Sequence, residues 1–336
     1  MRSSSCWRWP EAIGTELTLA PKTPAASPPR GGSRPPRGGP ASAELSRHAA
    51  LWPALCLTFN ALAWGLSWWP FRQLQALGLH PLWATVLIYL LAVAVILALR
   101  PDALRQLVRT PALWVLLIAS GTTNAAFNWA MVIGDVVRVV LLFYLMPLWA
   151  VLLARLLLKE ALTPMAALRI LLALGGAAVV LWPAEGGALE PPTLADALGL
   201  VGGFSFALNN VMLRREAARP EEGRALAMFV GGVVVAGVLA TLLAWRGQVP
   251  WLPALAWPWV LAALALSVLF LISNLALQYG ASRLPANVTA VVMLTEVVFA
   301  AGSALVLGGG VLTLRVVLGG ALIVGAAVLA GLERRG

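Results

Sequence analysis

Residues 124–128 read Asn-Ala-Ala-Phe-Asn, and 150 positions later residues 274–278 read Asn-Leu-Ala-Leu-Gln. Carried outward, the same offset sets Ala161-Leu162-Thr163 on Val311-Leu312-Thr313 and Gly175 on Gly325. Each of the two units holds five long apolar runs, and five is an odd number. A second copy of such a unit enters a membrane the other way up. Paired inverted units enclose a region near the bilayer midplane, where secondary transporters hold their substrates.

The composition agrees. Of 336 residues, 60% are hydrophobic and 11% charged, with mean hydropathy +0.85. A soluble domain carries about 25% charged residues, so the polar surface needed to cover this apolar mass is missing. Crossing ~30 Å of hydrocarbon at ~1.5 Å per residue takes about 18 or more apolar residues. Ten segments qualify: 50–71, 81–99, 111–132, 136–158, 165–183, 194–213, 224–245, 257–279, 286–307 and 313–332. The fold expected is an all-α membrane protein of ten transmembrane helices, built as two inverted five-helix repeats at 50–183 and 194–332.

The net charge of +10 follows topology. With the N-terminus in the cytoplasm, segments on that side hold 20 of the 24 Lys and Arg, and only Arg72, Arg138, Arg246 and Arg315 fall outside. That is a positive-inside pattern. Equivalent loops also exchange their charge between the units. Arg100, Arg105 and Arg109 follow the second span against Arg246 after the seventh; Arg72 follows the first span against Arg214, Arg215, Arg219 and Arg224 after the sixth. Both termini are expected in the cytoplasm and the chain in the plasma or inner membrane. No continuous basic face with interleaved aromatics offers itself to nucleic acid. Cys6 and Cys56 are the only cysteines, too few for a disulfide framework or a cysteine metal cluster.

Residues 1–48 hold eight Pro, five Gly and seven Ser, a composition that cannot bury enough apolar area to fold. A disordered cytoplasmic tail is expected there. It lacks the apolar run of a signal peptide, and its prolines, with Glu11, Glu16 and Glu44, speak against a transit peptide. Most tryptophans fall near span ends, where their rings suit the headgroup belt.

Polar side chains in hydrocarbon are costly unless they face a partner or a wet cavity, so the few that occur are the substrate-site candidates. Asn124 and Asn128 share one face of the third span, and Asn274 and Gln278 repeat that stripe in the eighth. Asn60 and Trp64 lie one turn apart in the first span, with Asn209 in the sixth; Trp129 and Tyr144 offer rings at membrane depth. Each has an alternative as ordinary packing or interhelical glue. Glu296, at the centre of the ninth span, is the sole acid in the middle of any span; it serves either to bind an amine or exchange a proton, or to hydrogen-bond a neighbouring backbone. Arg138 stands at the outer mouth, to meet a carboxylate or to pair with Asp135 and headgroups. Pro147 interrupts the fourth span and is the hinge candidate, and its counterpart is Val297, so an unsymmetrical kink is expected.

Gly134-Asp135 through Pro147 to Lys159-Glu160-Ala161-Leu162-Thr163 resembles the end of an EamA domain. So do Tyr279-Gly280-Ala281-Ser282-Arg283-Leu284-Pro285-Ala286 and Thr295-Glu296-Val297-Val298-Phe299-Ala300. The resemblance, to the ten-span drug/metabolite transporter superfamily, covers about residues 50–332 in two copies. It implies an exporter or permease for small metabolites, often amino acids, with a central cavity open to one side at a time. The family often carries an acid at the end of both the fourth and ninth spans and a proline inside both. Glu160 and Pro147 fit that pattern, Gly310 and Val297 depart from it, and Glu296 matches the acid that commonly precedes the missing proline.

The function expected is export of a small polar or zwitterionic metabolite by alternating access, by a monomer or homodimer. Either proton coupling or facilitated diffusion fits the sequence. The alternative is a flippase for lipids or lipid-linked metabolites. An intramembrane enzyme would need a nucleophile with its base, or a metal cluster. His48 and His80 are the only histidines and neither lies in a span; no cofactor or metal is expected.

Overall fold

A computed structural model of the chain describes residues 40–159, 163–181, 193–216, 218–281, 283 and 292–332. Among these residues every regular element is a helix: α1 (Pro40–Leu66), α2 (Trp68–Ala76), α3 (Pro81–Leu99), α4 (Asp102–Arg109), α5 (Pro111–Ile133), α6 (Val136–Phe143), α7 (Met146–Leu158), α8 (Pro164–Leu181), α9 (Leu194–Arg215), α10 (Glu221–Trp245), α11 (Trp257–Ala281), α12 (Thr295–Leu307) and α13 (Leu314–Leu332). Six segments are long and apolar enough to cross a membrane: α3, α5, the interrupted pair α6 and α7, α9, α10, and Trp257–Leu277 of α11. Pro164–Val180, Thr295–Leu307 and Leu314–Leu329 are shorter apolar helices.

Helix α1 starts at Pro40, so residues 40–48, which composition assigned to the tail, are helical. The physical reason is local: beyond Pro40 the Gly-Pro density ends and Ala, Glu, Leu and Arg, all good helix formers, take over. Residues 1–39 lie outside the described residues. Prolines in the first turns of α3, α5 and α7 occupy positions whose N–H would have no helical partner.

Two pairs of corresponding helices, α3 with α10 and α8 with α13, run in opposite directions. Near the start of α3, Trp83 Nε1 donates to the Pro250 carbonyl beyond the end of α10 (3.1 Å). Just past the end of α3, Gln106 Nε2 reaches Glu222 Oε1 at the start of α10 (3.5 Å). Helices α8 and α13 also cross antiparallel: a Cβ on Gly176 would meet Ile323, one on Gly319 would meet Val180, and each would lie 2.6 Å from the other glycine's carbonyl oxygen.

Such close approach is what holds helices together in lipid, where burying apolar surface gives no drive between them. A Cβ at Gly121 of α5 would lie 2.2 Å from the Gly231 carbonyl oxygen of α10, and one at Gly203 of α9 2.4 Å from that of Phe143. Gly325 has open space beside it, so the contact with α8 falls to Gly319 instead. The largest buried cluster among the described residues gathers around α6, whose every residue except Arg138 is buried.

Candidate functional site

The fourth span breaks after Phe143. Tyr144 and Leu145 turn, and α7 begins at Met146 with Pro147 in its first turn; the Pro147 side chain lies outside the described residues. In the ninth span Val292 and Met293 are helical, Leu294 turns and α12 begins at Thr295. At the 150 offset Leu294 falls on Tyr144. The expected asymmetry, drawn from Val297 standing where a proline was sought, is therefore corrected: both spans are interrupted at the same point. Two chemistries achieve it. Pro147 has no N–H to extend a helix backward, whereas the Thr295 hydroxyl donates to the Val292 carbonyl at 2.7 Å, a local bond that competes with the helical ladder.

Side chains beside the two breaks meet. The Tyr144 hydroxyl donates to Glu296 Oε2 at 3.2 Å. Glu296 sits in the first turn of α12, where unpaired backbone N–H groups and the helix dipole favour a carboxylate. Gly65 lets α1 close on this turn, since a Cβ there would lie 2.9 Å from the Glu296 carbonyl oxygen. Trp64, next to it, packs against the cluster that contains Tyr144, as do Phe206 and Leu294. Trp64 stands edge-on to Phe270 at 4.6 Å, and Phe206 lies 5.4 Å from Phe143. An acid from one unit thus meets a phenol from the other among rings drawn from both.

Four of the six amide candidates have partners inside the bundle, although Oδ1 of Asn60 and of Asn128 has none among the described residues. Asn60, fully buried, donates to the Ser273 hydroxyl at 2.7 Å and to its carbonyl at 2.9 Å, tying α1 to α11. Asn124 accepts from the Tyr89 hydroxyl at 2.5 Å and donates to the Ser120 carbonyl at 2.9 Å; Asn128 donates to the Thr85 hydroxyl at 2.9 Å. Both therefore turn toward α3. Asn274 donates to the Phe270 carbonyl one turn back at 2.8 Å, the same bond that Asn124 makes to Ser120. Asn209 is buried, with no partner for its Oδ1 among the described residues, and the Gln278 side chain lies outside them. Trp129 lies 5.4 Å from the His80 ring. His80 caps α3 through Nδ1, and burial pushes its pKa down to about 4, keeping that nitrogen an acceptor at neutral pH. Replacing Asn60 by Ala should lower stability by about 1 kcal/mol, the usual worth of an interhelical bond in lipid, read as a lower melting temperature in detergent.

A second cluster ties together one end of the bundle. Arg138 donates through Nε and Nη2 to Asp196 Oδ1 and Oδ2 at 2.7 and 2.9 Å. Asp135 is not its ionic partner: it caps α6 by accepting from Arg138 N (2.8 Å) and also accepts from Val311 N (2.8 Å). Val136 N donates to the Gly309 carbonyl at 3.0 Å, and Arg72 donates to the Gly134 and Val132 carbonyls. Sequence reasoning missed Asp196. Its Thr193-x-x-Asp196 spacing announces the capping box that the structure contains, but no spacing announces Arg138, 58 residues away.

Residues 51–182 and 193–332 each match the model of the EamA-like transporter family. The chain belongs to that family. No curated protein matches it. Fifteen chains of solved structure match; one, described as "Crystal structure of protein", is 21% identical over 84% of this chain and 96% of its own, with a TM-score of 0.54, a likeness of fold alone. As an EamA-like protein the chain is a multi-pass membrane transporter of a small-molecule substrate, in a family of transporters and not of enzymes.

Proposed function

We propose that this EamA-like protein exports small polar or zwitterionic metabolites, amino acids among them, across the cell membrane by alternating access. Ten spans in two inverted repeats, with both termini cytoplasmic, would rock about a site where the fourth and ninth spans break. The observation that carries the reading is the Tyr144–Glu296 contact between the two interruptions. Helices broken at equivalent points leave main-chain groups free beside a lone carboxylate, which is how transporters build midplane sites. Glu296 binds the substrate's ammonium group, or a proton when the site is empty; Trp64 and Phe206 supply apolar walls. Arg138 with Asp196 closes the outer end.

Counterflow into vesicles preloaded with single amino acids or amines tests this. Exchange of at least one such solute is expected. Vesicles that exchange none of them but translocate a fluorescent phospholipid would replace the reading with a flippase. Reporter fusions should also place residues 100–110 and 250–256 on opposite faces of the bilayer.

A further inference from the structure

Helix α4 joins α3 to α5 through connections of one or two residues, so it lies at the depth where both spans end. Its inner face, Ala103 and Leu107, is buried against Leu226 and Ala227 at the start of α10. Its outer face is mixed. Leu104 and Val108 are 48% and 61% exposed, while Arg105, Arg109 and the preceding Arg100 are exposed too. None of the three arginines has an ion-pair partner among the described residues. The single acid of α4, Asp102, lies in its first turn, where the helix dipole favours it. Trp114 of α5, half exposed, donates from its indole to the Leu107 carbonyl at 3.0 Å and marks the headgroup level, the usual station of an amphipathic ring.

We propose that α4 is a binding site for anionic phospholipid. Arg100, Arg105 and Arg109 take the phosphodiester headgroup, and Leu104 and Val108 lie against the upper acyl chain. Two exposed aliphatic side chains, Leu104 and Val108, flanked by cations match a lipid better than a free phosphate, which has nothing to set against them. Attraction of about 1 kcal/mol per arginine near a charged headgroup surface suffices for selective retention. Because the inner face of α4 rests on α10, the bound lipid would sit on the seam between the two repeats.

The test uses full-length protein in detergent, titrated with phosphatidylglycerol or phosphatidylcholine and read by native mass spectrometry. The parent should retain phosphatidylglycerol and shed phosphatidylcholine. The triple variant Arg100→Gln, Arg105→Gln, Arg109→Gln should bind phosphatidylglycerol at least about tenfold more weakly, with an unchanged melting temperature. The corresponding triple lysine variant, which keeps the charge, should bind within about threefold of the parent. Leu104→Ser with Val108→Ser should weaken retention as well. Equal retention of both lipids by the parent, or undiminished phosphatidylglycerol on the triple glutamine variant, overturns the proposal. Displacement of the lipid by an equal concentration of glycerol 1-phosphate overturns it too, by making a free phosphate ester the ligand.

Discussion

Glu296→Gln protein is expected to insert, fold and melt like its parent and to transport about a hundredfold more slowly, because removing one member of the desolvated charge pair proposed between Glu296 and the substrate's ammonium costs several kcal/mol. Glutamine keeps the shape and can still accept from the Tyr144 hydroxyl, so the loss isolates the charge. Tyr144→Phe should slow transport by about tenfold, the worth of one hydrogen bond to an ionic acceptor. Transport is measured in vesicles at matched protein content, from pH 5 to pH 8. Parental rates for Glu296→Gln across that range would remove the carboxylate from the mechanism, and with it the proposed site.

Arg138→Met should open the end of the bundle that Arg138 and Asp196 hold together. The substitution keeps an unbranched apolar stem, removes the guanidinium, and leaves Asp196, whose side chain is 2% exposed, as a buried carboxylate without its cation. Breaking a buried pair from one side costs about 3–5 kcal/mol; Arg138 is about one third exposed, and solvent screening reduces the figure. A cysteine placed at Ala195, now 6% exposed, should then react with a membrane-impermeant maleimide about tenfold faster than in the Arg138 protein. Arg138→Lys, which keeps a cation beside Asp196 and leaves the cap of α9 intact, should keep labelling slow. Equal rates with and without Arg138 would show that closure rests on other contacts.

The architecture was largely legible because hydrophobicity and repetition are written linearly. Odd-numbered apolar runs, a charge pattern that inverts between units and the 150 offset together imply antiparallel repeats, and the α3–α10 and α8–α13 crossings run that way. Glu296 stood out because acids in mid-span are rare. Partners did not stand out. That Asn60 would reach Ser273, or Asn128 reach Thr85, depends on which helices become neighbours, and polar spacing along one helix carries no such information. The ninth-span break was hidden for a different reason. Proline is a visible helix breaker, whereas a threonine hydroxyl that takes a carbonyl three residues back looks like any other threonine. Asp196 was passed over because an acid at a helix start is ordinarily a cap; here it is a cap and an ionic partner together.

That double duty bears on how tightly an unloaded carrier stays shut. Withdrawing Arg138 from Asp196 disturbs the same carboxylate that caps the first turn of α9, so under the proposed cycle this end would open in one step and not by degrees. A small threshold would let the protein flicker open and leak ions, and a very large one would stall the cycle. In the proposed carrier, the ceiling on turnover and the tightness against leakage would then both depend on this one carboxylate.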